Sequence, residues 1–203
     1  MSLKQKAITG LLWSFIDNIA SLGISFIVGI ILARILSPKE FGLIGMLTIF
    51  IAISQSFIDS GFRQSLIRKQ NCTEADYSTV FYFSIIVSVL FYGLLFATAN
   101  SISNFFHEPI LKDLIRVLGI GLIINSLTII QSTILTKQID FKLQAKVSVI
   151  SSIISGIIGI YMAYTKWGVW SLVVSMLIKY AISSFLLWLW INWKQGSFLY
   201  YKF

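Results

Sequence analysis

AITGLLWSFIDNIASLGISFIVGIILA, at residues 7–33, is long and apolar enough to cross a membrane as one helix, since a span needs about 20 apolar residues. Asp17 lies near the middle of this segment, and Lys179 lies near the middle of the last long apolar segment. A charge at bilayer depth costs roughly 2.5–3.5 kcal/mol, so such residues face a protein interior or a watery cavity. The two charges therefore predict a helical membrane bundle with a polar interior.

The composition of the 203 residues is typical of an integral membrane protein. Hydrophobic residues make up 57% of the chain and charged residues 12%, whereas soluble domains carry about 25% charged residues. These values exclude a disordered chain. The net charge of +8 does not indicate nucleic-acid binding, because the Lys and Arg residues lie in short segments between apolar runs. The apolar runs are also too long for membrane β-strands, which alternate over about 10 residues.

The apolar segments predict six membrane-spanning helices. Their expected bounds are residues 7–33, 41–62, 77–98, 114–135, 147–165 and 169–193, so residues 1–203 form a single all-α transmembrane domain. Pro38 separates the first two spans, and Thr73 is expected to cap the third helix. With the N-terminus placed inside, the inner segments carry ten Lys and Arg residues and the outer segments carry five. This asymmetry predicts that both termini face the cytoplasm.

Asp17 and Lys179 are expected to lie at similar depths in the membrane. At helical rise, Asp17 lies about 15 Å and Lys179 about 21 Å from the inner ends of their spans, an offset of roughly one turn. Each charge lies on or beside a polar stripe that we expect to face the bundle interior: Ser14, Asn18, Ser21 and Ser25 in the first span, and Ser171, Ser175 and Ser183 in the sixth. The charges either line a hydrated cavity that binds substrate or a coupling ion, or they form a structural ion pair.

Other charged residues lie near the ends of the spans. Asp59 and Arg63 have the i,i+4 spacing of an acid–base pair at a helix end, and Arg34 follows the first span. These three residues are candidates for structural or gating roles. Arg116, near the outer end of the fourth span, either snorkels to lipid headgroups or attracts a phosphate at the mouth of a cavity.

Uncharged polar residues also occur within the spans. Asn125, Thr128 and Ser132 share one face of the fourth span, and Asn18 lies beside Asp17 in the first. Such side chains can donate hydrogen bonds to a sugar or to a neighbouring helix, and bonds of the second kind average about 0.6 kcal/mol in membranes. Asn18 and Asn125 are therefore further candidates for a substrate cavity.

The sequence contains no pattern that indicates an enzyme. Cys72 and His107 are the only Cys and the only His, so the spacings of a disulfide or a zinc site are missing. No nucleophile–base signature and no Gly-rich phosphate loop occurs either. We therefore expect no catalytic residue, no metal and no cofactor.

Several strings carry a resemblance to a known family: ILARILSPKEFGLIGMLTIF (31–50), DSGF (59–62), SLIRKQNCTEADYSTVFY (65–82), FFHEPILKDLIRVLGIGLIINSL (105–127) and WGVWSLVVSMLIKY (167–180). Through them the chain resembles the bacterial polysaccharide exporters, the O-antigen and teichuronic-acid type flippases of the multidrug/oligosaccharidyl-lipid/polysaccharide exporter superfamily. The turn L-A-R-x-L-x-P-x-x-F-G, at residues 32–42, is the most specific of these matches.

The resemblance implies a fold, a substrate and a set of site residues. Family members have two six-helix lobes around a central cavity, and the chain resembles the N-terminal lobe. They move an undecaprenyl-diphosphate-linked oligosaccharide across the bacterial cytoplasmic membrane by alternating access, so the implied partners are this lipid-linked glycan and membrane lipids. Among the cations of the chain, Lys179 and Arg116 are the ones that the resemblance implies for binding the diphosphate. Asp17 is implied in coupling to a proton or sodium gradient.

The length of the chain corresponds to one lobe of such an exporter. Because a lone lobe would expose its polar face to lipid, we expect a homodimer or a partner lobe. Two other interpretations stay open, namely a lobe of a multidrug or cation antiporter and a non-functional fragment of a truncated transporter. An aromatic, apolar cavity would favour drugs, whereas several cations would favour a diphosphate lipid.

Overall fold

The computed structural model describes residues 3–59, 62–69 and 72–191, and within them the chain is helical with no β-strand. The all-α fold class predicted from the sequence is confirmed. The helices are α1 (Leu3–Ile35), α2 (Pro38–Asp59), α3 (Phe62–Arg68), α4 (Glu74–Phe105), α5 (Ile110–Ser126), α6 (Ile129–Gln138), α7 (Phe141–Tyr164) and α8 (Val169–Trp190).

Five of these helices are long and apolar enough to cross a membrane by themselves: α1, α2, α4, α7 and α8. The pair α5 and α6 is bent by 41° at a short break and passes the same test as one unit, which makes up to six spans. The chain is thus a multi-pass membrane protein. The predicted ends of the second and sixth spans, at residues 60–62 and 192–193, lie wholly or partly outside the described residues, and so does the tail 194–203.

Two helices begin with reciprocal hydrogen bonds between side chain and backbone. At the start of α2, the Ser37 backbone N–H donates to Glu40 Oε2 at 2.6 Å, and Pro38 occupies the first helical position, where it needs no partner. At the start of α4, Thr73 N–H donates to Asp76 Oδ2 at 2.9 Å, and Asp76 N–H donates to Thr73 Oγ1 at 3.3 Å. The predicted cap at Thr73 is confirmed.

The structure differs from the predicted spans at three links. Residues 63–68, expected in a loop, belong to α3, and α4 continues to Phe105. The fourth span is not one straight helix, because helix stops at Ser126 and resumes at Ile129. Only residues 139–140 separate α6 from α7, where Ile139 adopts a left-handed conformation with φ of 59°. Local hydropathy does not report the break at residues 127–128, because apolar residues continue on both sides of it.

The bundle is built around α5 and α8. α5 packs between α4 and α8, while α7 packs between α1 and α8. The main apolar core lies where α2, α4, α5 and α8 meet and consists largely of leucines such as Leu47, Leu114 and Leu118. α1 contacts mainly α7, and only 6% of its most apolar segment is buried. This arrangement leaves a polar space between α1, α7, α8 and the α5–α6 break.

Candidate functional site

A cavity of about 280 Å³ lies between α1, α7, α8 and the α5–α6 break, and Arg63 of α3 also lines it. We call it the inner cavity, because the predicted topology places it in the cytoplasmic half of the bundle. Three charged side chains line it, together with a larger set of amide and hydroxyl groups. Those that matter below are Asp17, Arg63, Asn125, Gln144, Ser148, Lys179 and Ser183.

Asp17 is held on the cavity wall by a short chain of hydroxyl groups. Ser21, one turn further along α1, donates to Asp17 Oδ1 at 3.0 Å. The Ser21 hydroxyl also lies 2.7 Å from the Ser148 hydroxyl of α7. The carboxylate of α1 is thereby linked to α7. This link explains why a charged residue is tolerated in a helix that is otherwise mostly exposed and apolar.

Lys179 lines the same cavity from α8 and is half-buried. Lys39 pairs with Glu108 at 2.6 Å and Lys69 pairs with Asp76 at 2.7 Å, whereas Asp17 and Lys179, both among the described residues, form no ion pair with each other. The two intramembrane charges therefore share a cavity without closing on each other. A structural ion pair, one of the two interpretations of the sequence, is not formed in this conformation.

Arg63, expected in a structural or gating role, contributes the second cation of the cavity. Its expected i,i+4 partner Asp59 is the last residue of α2, whereas Arg63 lies in the first turn of α3. The two residues lie in different helices and form no ion pair in the described part of the chain. The expected helix-end pair is thus wrong, because the spacing argument assumed one continuous helix.

A second cavity, of about 250 Å³, follows the inner one along the bundle. Its wall comes from the later turns of α1, the start of α2, the middle of α7 and the first half of α8. Val28, Gly29, Leu32, Leu172 and Met176 are prominent in it. We call it the outer cavity. Lys179 lines both cavities, so its side chain lies where the two meet.

The α5–α6 break brings Asn125 and Thr128 to the inner cavity. The break is supported by a fully buried amide, Gln131, whose role the sequence pattern alone does not indicate. In the amide orientation that satisfies both partners, Gln131 donates to the Leu127 carbonyl at 2.6 Å and accepts from Trp188 Nε1 at 3.1 Å. A bend is stable where side chains satisfy the freed backbone groups.

Four predicted site residues lie away from both cavities. Arg116 is half-buried, and its guanidinium lies 4.3 Å from the centroid of the Phe96 ring on α4. It therefore forms a cation–π contact and does not line a cavity as expected. Asn18 is exposed and donates to the Ser14 carbonyl of its own helix, so its stripe does not face inward as a whole. Arg34 is exposed in the last turn of α1, and Asp59 ends α2.

Two polar atoms on the cavity walls have no hydrogen-bond partner. Gln144 Oε1 is buried at the inner cavity, and Ser152 Oγ, from a residue only 4% exposed, is buried at the outer cavity. Buried polar atoms are nearly always paired, so unpaired ones on a cavity wall indicate room for a polar ligand. In the part of the chain described, no cluster of three potential metal-binding residues occurs.

The chain matches the model of a family described as polysaccharide biosynthesis protein over residues 31–200. It is 25% identical over 124 residues to the lipopolysaccharide biosynthesis protein WzxC of Escherichia coli, covering 61% of this chain and 25% of that protein. It is 24% identical over 167 residues to the succinoglycan biosynthesis transport protein ExoT of Rhizobium meliloti, covering 82% and 34%.

A third relative, the teichuronic acid biosynthesis protein TuaB of Bacillus subtilis, is 26% identical over 154 residues, which is 76% of this chain and 32% of that protein. The chain thus spans a quarter to about a third of the length of these curated relatives. No solved structure matches it.

Proposed function

This chain belongs to the polysaccharide biosynthesis protein family, and on that premise we propose that it forms one lobe of an exporter for a lipid-linked oligosaccharide. The exporter would move a precursor of lipopolysaccharide, O-antigen, teichuronic acid or a related polysaccharide across the membrane. The chain is a multi-pass protein of the bacterial inner membrane. Its role is transport, carried out by binding and conformational change without a catalytic residue.

The observation that carries this proposal is the charge of the inner cavity. Lys179 and Arg63 outnumber Asp17 on its wall, so the three groups leave an excess of one positive charge. Arg and Lys are the side chains that bind phosphate, and they bind it more strongly at low local dielectric. Neutral donors such as Asn125 complete the wall. A lipid that carries a diphosphate and a sugar suits this combination better than a cationic drug does.

A partner for the lobe is the second part of the proposal. α1 presents large apolar side chains together with the exposed Asn18 and with Ser25, which is exposed at the edge of the outer cavity. Polar groups exposed to hydrocarbon are costly, so this surface is expected to face another protein or a shared aqueous cavity. We propose that a second copy of the chain or a second lobe covers it. Asp17 would couple transport to a proton or sodium gradient.

Complementation tests the proposed function. The chain is expressed in a strain that lacks its own flippase, and surface polysaccharide is measured for the unmodified protein, Lys179→Ala and Lys146→Ala. Lys146 is an exposed lysine of α7 that does not line the inner cavity. We expect export from the unmodified protein and from Lys146→Ala, and loss of export in Lys179→Ala.

Thermal unfolding of the purified variants in detergent separates lost transport from lost folding. Lys179→Ala should unfold at about the same temperature as Lys146→Ala, because Lys179 forms no ion pair that the substitution would break. If the unmodified chain restores no surface polysaccharide, the proposed function is wrong. If Lys179→Ala exports as well as Lys146→Ala, the assignment of the substrate to the inner cavity is wrong.

A further inference from the structure

A further cavity, of about 580 Å³, opens at the ends of α4 and α5 that the predicted topology places away from the cytoplasm. We call it the interfacial pocket, because it lies just beyond residue 98, where the predicted third span ends. It shares no lining residue with the inner or the outer cavity. Its lining consists of Asn100, Ser103, Asn104, His107, Pro109 and Lys112. We propose that this pocket binds the headgroup of an anionic glycerophospholipid.

The first argument is the charge of the interfacial pocket. Lys112 contributes an ammonium group, and the lining formed by the described residues includes no carboxylate. Glu108, close by in the chain, is already paired with Lys39 at 2.6 Å. Asp113, the residue after Lys112, does not line the pocket. Lys112 has no ion-pair partner within the described part of the chain, so the pocket attracts an anion.

The second argument is a neighbouring cation on α5. Arg116 lies one turn after Lys112, and like charges at this spacing repel each other. Its guanidinium packs on the Phe96 ring, and its Nε is buried without a hydrogen-bond partner. A phosphate held between Lys112 and Arg116 would relieve the repulsion and accept charge-assisted hydrogen bonds from both. Long cationic side chains near the end of a span commonly reach the membrane surface in this way.

The third argument is the neutral part of the pocket. Asn100 and Asn104 are exposed one turn apart near the end of α4, and each amide offers two donors and an acceptor. The Ser103 hydroxyl is already in use, because it donates to the Glu108 carbonyl at 2.9 Å. Two amides beside an ammonium suit a phosphate that carries glycerol hydroxyls better than one that carries a quaternary ammonium. We therefore expect phosphatidylglycerol to bind more tightly than phosphatidylcholine.

The surface of α4 beside the pocket favours a lipid over a free phosphate. Phe96, Val89 and Ile86 lie on the same face of α4 as Asn100 and are 42%, 48% and 64% exposed. This apolar stripe runs from the interfacial pocket towards the middle of the membrane. A headgroup in the pocket would place its acyl chains along the stripe, whereas a free phosphate would gain nothing from it.

The interfacial pocket is compatible with the proposed assembly. The surface that we expect a second lobe to cover lies on α1, which packs mainly against α7. α4 and α5 pack against each other and against α2 and α8. A lipid at the ends of α4 and α5 therefore does not compete with a partner on α1.

Native mass spectrometry of the purified full chain tests the site, because it counts bound lipid while dioleoyl phosphatidylglycerol is titrated in detergent. Lys112→Gln should weaken the tightest binding of this lipid about fivefold, the usual contribution of one lysine at an anionic membrane surface. Lys112→Arg should retain the affinity, because the positive charge remains. Lys166→Gln is the matched control and should bind like the unmodified protein. Lys166 is an exposed lysine on the same side of the membrane that does not line the pocket.

Thermal unfolding in detergent separates lost binding from lost folding. Without added lipid, Lys112→Gln and Lys166→Gln should unfold at about the same temperature, because neither lysine forms an ion pair among the residues described. Added phosphatidylglycerol should raise the unfolding temperature of Lys166→Gln more than that of Lys112→Gln, since a ligand stabilises the folded state to which it binds.

Three results would overturn the inference. Equal affinities of Lys112→Gln and Lys166→Gln for phosphatidylglycerol would remove the headgroup site. Equally tight binding of dioleoyl phosphatidylcholine to the unmodified protein would show that the pocket does not recognise an anionic head. Displacement of phosphatidylglycerol by an equal concentration of glycerol 3-phosphate would assign the pocket to a soluble phosphate compound.

Discussion

Asp17 lies in a helix whose neighbouring side chains are among the most exposed apolar groups of the molecule, with Phe15 at 65% and Ile19 at 56% exposure. Its carboxylate is nevertheless oriented by Ser21, which also reaches Ser148 of α7. At the scale of single residues, short hydroxyl side chains thus decide which face of α1 turns inward. Asp17 lies on that face and lines the inner cavity.

A prediction at the residue scale concerns Thr73. Replacement by Ala removes the side-chain acceptor of the α4 capping box, and helix caps of this kind are worth about 1 kcal/mol. We expect Thr73→Ala to lower the free energy of unfolding by about that amount, as measured by denaturant unfolding in detergent. Thr73→Ser should restore it.

Thr79→Ala is the control for this measurement. Thr79 is an exposed threonine of the same helix whose hydroxyl donates only to the Ala75 carbonyl one turn earlier. Its replacement should change stability by less than about 0.5 kcal/mol, as usual for surface positions. A loss in Thr79→Ala as large as that in Thr73→Ala would show that the cap is not responsible.

At the scale of helices, α1 and α7 approach closely through small residues. Gly156 is buried on α7 opposite Val28 of α1, and a Cβ added at Gly156 would lie 2.6 Å from Val28 Cγ2. Valine cannot move aside easily, because its branched side chain has few allowed rotamers in a helix. The absence of a side chain at Gly156 thus sets the distance between two helices that both line the cavities.

Gly156→Ala is predicted to destabilise the protein by about 1–3 kcal/mol, the usual cost of overpacking. The double variant Val28→Ala/Gly156→Ala should recover most of this loss, because the smaller residue at position 28 makes room for the added methyl group. Thermal unfolding in detergent measures both. Gly93→Ala is the control, since an added Cβ at this exposed position of α4 meets nothing within 4 Å. No recovery in the double variant would contradict the proposed contact.

At the scale of the whole molecule, the distribution of exposed surface is uneven. α1 lies at one side of the bundle and contacts mainly α7, while Asn18, Leu22 and Ser25 form an exposed strip on it. Lipid would solvate the leucine but not the asparagine and the serine. This strip is where we expect a second copy of the chain or a second lobe to dock.

Disulfide cross-linking tests this expectation for the chain expressed alone. Cys72 is the only cysteine, so Cys72→Ser provides a cysteine-free background. Leu22→Cys, on the strip and 70% exposed, should form a cross-linked dimer when native membranes are oxidised. Ile86→Cys, on α4 and 64% exposed, should not. Full transport activity from a chain that yields no cross-link and elutes as a monomer would refute the dimer.

The sequence by itself determined the features that depend on local composition and local spacing. The apolar segments, the cap at Thr73 and the family resemblance could be read without coordinates, because each rests on neighbouring residues or on segments matched one by one. The sequence also predicted a polar interior of the bundle, because Asp17 and Lys179 are too costly to expose to lipid.

Only the tertiary structure decided which polar groups meet. It placed Lys179 and Arg63 of α3 on the wall of one cavity, placed Arg116 against the ring of Phe96, and left Asn18 exposed. It also bent the fourth span, where Gln131 donates to the Leu127 carbonyl and accepts from Trp188 Nε1. The physical reason is that helix rotation, helix breaks and close approaches such as Gly156 to Val28 result from packing between segments distant in sequence. A one-dimensional pattern of hydrophobicity does not contain that information.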